Sequence, residues 1–291
     1  MNRGFVTALW FVFAIACAIA VTPPVFNLSI TLGFDFDFLR VFRRMLLLGA
    51  VLVLAFRLRP WRDGTLRSYG LQLTSEHGSL LVMPYLVTIA AVSFLLTMEL
   101  SAGWLGWNPR DDFGPRAARY FLSGFIVAFL EELFFRGWMT RRIEGAKGTV
   151  AALFWVNLIY AAAHAFNPRH VRIDVPDTWQ GALTALGLWF RHMVSPAFGP
   201  AVFGLFLFGL LLSILVRRTG SLWPAIGVHA ASVFMLHGIV SSLSKQSMPS
   251  WAGTKLLYDG PPGWALFLVA IVLILRMRTA SAQERGAAIP G

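Results

Sequence analysis

Eight hydrophobic runs, each poor in charged residues, account for nearly half of this chain of 291 residues. A helix that crosses a membrane needs about 20 mostly apolar residues, and runs close to that length recur along the whole chain. Hydrophobic residues make up 57% of the sequence and charged residues 13%, whereas soluble domains have about 25% charged residues. The single cysteine, Cys17, lies in the first run, so neither an intrachain disulfide nor a cysteine-based metal site is expected. We therefore predict an all-α fold: a polytopic transmembrane helix bundle of about eight spans that forms a single integral membrane domain, residues 1–291. The predicted spans lie at 5–21, 42–56, 79–99, 118–134, 150–166, 197–216, 222–243 and 263–275.

Basic residues outnumber acidic residues by 25 to 14, which gives a net charge of +11. The excess lies mostly in short connections, where arginine and lysine orient membrane helices and attract anionic lipid headgroups. No basic stripe on a polar helix and no nucleic-acid-binding motif accompanies the charge, so no nucleic acid partner is expected. An N-terminus in the cytoplasm places 14 basic residues inside and 11 outside, which favours an N-in, C-in protein, in a bacterial inner membrane by our expectation.

The first run has two interpretations. Arg3, the apolar residues after it and Ala18-Ile19-Ala20 are typical of a cleaved secretory signal. We favour an uncleaved span from Gly4 to Val21, because further runs follow directly and this one is long enough to cross a bilayer. Pro23 and Pro24 are predicted to end the helix, since proline lacks the amide hydrogen that a helix interior needs.

The stretch 167–196 is the least regular part of the sequence, because three prolines interrupt it. The apolar content of Trp179 to Met193 suits an interfacial or re-entrant helix that covers a cavity. A surface loop with one short amphipathic segment is the alternative.

An acidic pair ends the fourth run, in Glu131-Glu132-x-x-x-Arg136. Ionised groups at membrane depth are costly, and they usually serve function. Glu132 and Arg136 stand four residues apart on a helix, so they share a face and are predicted to form an ion pair. Glu131 is turned about 100° away from that face and stays available for acid–base chemistry. An ordinary ion pair at a helix end is the alternative.

A histidine, His164, follows Tyr160 by four residues, with three alanines between them. Small residues allow another helix to approach closely. His164 is predicted to help Glu131 polarise a water molecule, and Asn157, seven residues back on a similar face, to orient the imidazole. A structural histidine bonded to a neighbouring backbone is the alternative.

A second histidine, His229, lies among small residues between Gly227 and Ser232. An imidazole that donates into a dry cavity stabilises the oxyanion of a tetrahedral intermediate, and this role is predicted for His229. His237, two turns further on, is a weaker candidate. The other three histidines lie in connecting regions and are expected to face solvent; they are His77, His170 and His192.

Taken together, the acidic pair with its arginine, the Tyr160-to-His164 segment and the Gly-x-His at 227–229 resemble the three ordered motifs of the CPBP family. That family comprises the CAAX prenyl proteases of the Ras-converting type and their bacterial abortive-infection relatives. The resemblance covers about residues 115–245. It implies a metal-independent glutamic intramembrane endopeptidase without a cofactor, in which Glu131 and His164 activate water and His229 stabilises the oxyanion. The implied substrate is a membrane-anchored or lipidated protein.

Two features depart from the family pattern. Many members have asparagine four residues after the third-motif histidine, where this chain has Val233, which has no hydrogen-bond donor; Ser232 next to it lies at a different helical angle. The stretch between the second and third motifs is also longer, because of residues 167–196. These departures leave three alternatives open: an inactive scaffold or self-immunity protein, a proton-coupled transporter with the acidic pair as carriers, and a zinc protease with His164, His229 and one glutamate as ligands.

Overall fold

The computed structural model describes residues 3–34, 37–58, 70–71, 75–109, 111–164, 177–254 and 257–277. Helices account for nearly all of these residues, so the all-α prediction is confirmed. The α-helices are α1 Arg3–Thr31, α2 Phe38–Leu58, α3 Ser75–Ser101, α4 Phe113–Glu132, α5 Thr140–Lys147, α6 Thr149–His164, α7 Trp179–Met193, α8 Gly199–Thr219, α9 Trp223–Phe234 and α10 Pro261–Arg276. Two π-helical segments, Leu133–Met139 and Met235–Ile239, continue α4 and α9.

Within the described residues, four helical segments are long and apolar enough to cross a membrane: Val12–Thr31, Gly78–Ser101, Pro196–Thr219 and Trp223–Ser242. Two apolar helices are shorter, α6 and α10. Each of the eight predicted runs coincides with a helix. Membrane crossing by the runs outside the four long segments stays a prediction.

The prediction that Pro23 and Pro24 end the first helix is wrong, because α1 continues through both to Thr31. The two prolines remove two amide donors from the helix, but helices in membranes tolerate proline where neighbouring groups or local adjustments satisfy the freed backbone groups. Fully buried Thr22 directly precedes the prolines, and its hydroxyl donates to the carbonyl oxygen of Ala18 at 2.6 Å. The membrane-length part of α1 therefore begins at Val12 and extends beyond the prolines.

The chain divides into two compact units. The first comprises Met1–Arg62 and Ala163–Phe198, and the second comprises Asp63–Ala162 and Gly199–Gly291. In the first unit α1 packs on α2, with Phe26 and Phe38 edge to face at 5.3 Å between ring centroids. The helix α7 packs against both through buried Ala182 and Ala185.

The helical prediction for Trp179 to Met193 is confirmed by α7. The role of this helix as a cover over a cavity stays a prediction, and residues 165–176, which include His170, lie outside the described residues. His77 and His192 lie in helices, and the expectation that their side chains face solvent stays a prediction.

In the second unit, α9 packs closely against both α3 and α4. Glycines permit this approach. A Cβ atom on Gly227 of α9 would collide with the carbonyl oxygen of Leu81 in α3, and one on Gly124 of α4 would lie 3.0 Å from the carbonyl oxygen of Ala230. The helix α10 packs on α8, and β1 (Leu105–Trp107) pairs antiparallel with β2 (Leu243–Lys245) near the start of α4. Close packing of α4 and α9 brings the ends of the first and third motifs together.

Candidate active site

The acidic pair lies at the junction of α4 with its π-helical continuation. A π-helical turn contains one more residue than an α-helical turn, and such turns are frequent at functional sites. Arg136 lies inside the π-helical segment, and its Nη1 donates to Oε1 of Glu132 at 3.0 Å. Both side chains are buried, with exposed fractions of 1% and 0%. The ion pair predicted from the spacing of the two residues is present.

The guanidinium of Arg136 is fixed by three further groups. Its Nη2 donates to the carbonyl oxygen of Gly209 at 3.1 Å and approaches Oδ1 of Asn157 at 3.5 Å. Its central carbon lies 4.4 Å from the centroid of the Tyr160 ring, a cation–π contact. Gly209 allows this approach, because a Cβ atom there would lie 2.8 Å from Asn157 Oδ1 and 3.2 Å from Arg136 Nη2.

Asn157 helps to hold the side chain of Arg136 in place. We expected it to orient His164, but its Nδ2 donates to the carbonyl oxygen of Leu153 at 2.7 Å, and its Oδ1 accepts from Ser213 Oγ at 3.0 Å as well as from Arg136. Gly209 and Ser213, both on α8, were missed by the sequence analysis. A buried serine within the otherwise apolar run of α8 was the available signal.

His229, buried on α9, is the second partner of Glu132. Its Nδ1 lies 2.8 Å from Glu132 Oε1, the oxygen that also accepts from Arg136. An ionised carboxylate only accepts hydrogen bonds, so Nδ1 carries the proton and the opposite nitrogen, Nε2, is left to face the cavity. The edges of Tyr160 and Phe208 hold the imidazole ring, at 6.1 and 5.8 Å between centroids.

Glu131 faces the free nitrogen of His229. Its Oε2 lies 3.9 Å from Nε2 of His229, and 22% of its side chain is exposed, in contrast to fully buried Glu132. His164 is the last residue of α6, one turn beyond Tyr160 on an unbroken helix. The boundary between the two units falls between Ala162 and Ala163, so His164 belongs to the first unit, and its role beside Glu131 stays a prediction.

The other residues that the sequence analysis singled out on α9 and its continuation make separate contacts. The hydroxyl of Ser232 donates to the carbonyl oxygen of Val228 in its own helix at 2.9 Å. The side chain of Val233 packs on α4, 3.6 Å from where a Cβ atom of Gly124 would lie. His237, in the second π-helical segment, contacts the ring of Tyr120 at 5.3 Å between centroids.

Comparison with protein-family models gives a match over residues 114–235, to the family described as type II CAAX prenyl endopeptidase Rce1-like. The match covers less than half of the chain, and over these residues the chain is similar to that family. It contains every residue of the site described above, from Glu131 to Ser232 and Val233. A search of curated proteins and a search of solved structures gave no match. The Rce1-like match identifies a protease family that acts on membrane-associated protein substrates, and with the membrane-length helices it supports an integral membrane hydrolase.

Proposed function

We propose that this protein is an intramembrane endopeptidase that hydrolyses a peptide bond of a membrane-anchored or lipidated protein. The observation that carries the proposal is the division of roles within the acidic pair. Glu132 is buried and bonded to both Arg136 and His229, whereas Glu131 is partly exposed and lies beside Nε2 of His229. A structural ion pair alone does not call for a second carboxylate facing that histidine.

In the proposed reaction Glu131 is the general base. Its carboxylate takes a proton from a water molecule held with His164, and the resulting hydroxide attacks the carbonyl carbon of the scissile bond. The tetrahedral intermediate then collapses, the carbon–nitrogen bond breaks, and the departing amine receives the proton from Glu131. A base and acid positioned in this way contribute about 10²- to 10⁴-fold to the rate.

His229 is the proposed oxyanion donor. With Nδ1 already donating to Glu132, it has a second proton to offer at Nε2 only as the imidazolium cation. Its two ring nitrogens lie 2.8 Å from Glu132 and 3.9 Å from Glu131. In the proposed reaction Glu132 therefore sets the orientation of His229, while Glu131 and His164 act on water.

The decisive experiment compares Glu131→Gln with wild type in proteoliposomes. The probes are quenched-fluorescent peptides that end in a prenylated CAAX sequence, and cut membrane proteins are identified in parallel by mass spectrometry of expressing cells. We expect cleavage to fall at least about 100-fold, since the base is lost. Asp111→Asn, an exposed acid at the far end of α4, is the matched control and should retain full activity. Cleavage at the wild-type rate by Glu131→Gln would falsify the mechanism.

Zinc is the second candidate, because His164, His229 and Glu131 are of the residue types that bind catalytic zinc. The glutamic mechanism predicts that activity survives dialysis against a strong chelator such as 1,10-phenanthroline. Loss of activity on chelation and its return with added zinc would replace the glutamic mechanism with a zinc mechanism at the same three residues.

A further inference from the structure

One end of the second unit carries a rim of basic side chains contributed by three helices. The helix α5 runs along this end, and α8 and α10 finish there. Two contacts establish the convergence: Arg217 of α8 bonds Glu144 of α5 at 2.8 Å, and Arg218 donates to the carbonyl oxygen of Met277 just after α10 at 3.2 Å. The rim consists of Arg141, Arg142, Lys147, Arg217, Arg218 and Arg276, and all but Arg218 are exposed.

The single acidic residue among the described residues of this end, Glu144, does not neutralise the rim. Its Oε1 already accepts from the hydroxyl of Thr149 at 2.5 Å and from Arg217. At the opposite end of the unit, around the start of α4 and the strand pair, the described residues include three exposed or partly exposed basic side chains and three acidic ones: Arg116, Arg119 and Lys245, and Asp111, Asp112 and Asp259. Arg116 is paired with Asp112 at 2.7 Å. Among the described residues of the unit, the excess of positive charge therefore lies at the rim end.

The rim adjoins apolar side chains that stay exposed. Val150 at the start of α6 is 81% exposed, and on α10 Leu273 is 59% exposed, with Met277 just beyond the helix at 50%. The basic rim next to exposed apolar side chains matches the boundary between lipid headgroups and acyl chains. An acidic soluble protein would leave those apolar side chains in water, so its surface does not complement this end.

We infer that the basic rim is a binding surface for anionic phospholipids, which seat their phosphates on the arginine and lysine side chains and their acyl chains on the apolar residues below. Each basic residue near an anionic membrane surface strengthens binding by about fivefold. This inference does not depend on the proposed proteolysis, because it rests on residues outside the candidate active site.

The test uses the full chain in detergent micelles, with bound lipid counted by native mass spectrometry. Wild type should retain phosphatidylglycerol in preference to phosphatidylcholine of the same chain length. The variant Arg142→Gln/Lys147→Gln should lose roughly 25-fold of that preference, from the loss of two headgroup contacts. The matched control, Arg119→Gln/Lys245→Gln, removes the same charge from the neutral end and should bind as wild type does. Arg217 and Arg218 are left intact, because they hold α5 and α10 in place.

Three results would overturn the inference. Equal retention of both lipids by wild type would show that the rim does not recognise anionic headgroups. An equal loss in the control variant would show that net charge alone matters. Displacement of phosphatidylglycerol by millimolar inorganic phosphate would show a site for free phosphate in place of a lipid surface. Unfolding temperatures of all variants, measured in parallel, identify any variant that loses lipid because it has lost its fold.

Discussion

Glu132 uses one oxygen atom to bind two partners, Arg136 and His229, inside a region closed to solvent. Bringing a carboxylate and a guanidinium out of water is costly, and the pair persists because each partner has several hydrogen bonds. The neighbouring Glu131 has a different environment, since part of its side chain is exposed. Two adjacent residues of the same type therefore differ in role: one builds the site and the other is placed to react.

Removing Glu132 should destabilise the fold much more than removing Glu131. Glu132→Ala leaves the Arg136 cation buried without its carboxylate, and such a loss costs about 3–5 kcal/mol. Glu131→Ala, the matched control, should change the free energy of unfolding by about 1 kcal/mol or less, because its side chain reaches solvent. Denaturant unfolding in micelles measures both. Similar values for the two variants would contradict the assignment of Glu132 as the structural member of the pair.

Gly209 is predicted to be intolerant of a single added methyl group. In Gly209→Ala the new Cβ would press on Asn157 and Arg136 at 2.8 and 3.2 Å, displacing the guanidinium from Glu132. We expect a loss of about 1–3 kcal/mol in stability and reduced peptide cleavage. Gly145→Ala on exposed α5, where a Cβ would meet nothing within 4 Å, is the control and should be neutral or slightly stabilising. Wild-type cleavage by Gly209→Ala would exclude this positioning role.

The short helix α5 is attached to α8 by Glu144, Thr149 and Arg217. The hydrogen bond from Thr149, followed by that from Arg217, holds the pKa of Glu144 below its ordinary value of 4.5. A carboxyl group with a lowered pKa stabilises the fold above its unfolded-state pKa, and this contribution is lost as the pH falls through the folded-state pKa. The attachment of α5 is therefore intact at neutral pH and weakens in acid.

Glu144→Gln should remove that pH dependence at small cost to stability. Both side chains of the Arg217 pair are about one third exposed, so the expected loss at neutral pH is only about 0.5–1 kcal/mol. The unfolding temperature in micelles, followed from pH 7 to pH 3.5, should fall less for the variant than for wild type. Parallel curves for the two proteins would show that the pair contributes nothing measurable.

Local contacts were predictable from the sequence, and contacts between distant segments were not. The pairing of Glu132 with Arg136 follows from helical spacing alone. The bond from Arg136 to Gly209 joins residues 73 positions apart, and no periodicity in one sequence indicates it. The continuation of α1 through its two prolines departs from the rule for soluble helices, because helices in membranes tolerate proline more readily. The three motifs located the site, but the residues of α8 that complete it required the packed structure.

The charge asymmetry of the second unit predicts its orientation in the membrane. Basic residues favour the cytoplasmic side, so the rim end should lie there. In a Cys17→Ala background, Gly145→Cys should react with a membrane-impermeant maleimide in inside-out vesicles, and Ser247→Cys, near the strand pair, in right-side-out vesicles. The reverse labelling pattern would invert the orientation, and with it the expected N-in, C-in arrangement.

The wide turn after Glu132 holds one residue more than an α-helical turn between the acidic pair and α5. Loss of one residue from Leu133–Met139 would convert it to an α-helical turn and shift Arg136 from its position between Glu132, Asn157 and Gly209. A buried cation would then lose the groups that compensate for its desolvation. Deletions in this segment should therefore be far more damaging than substitutions.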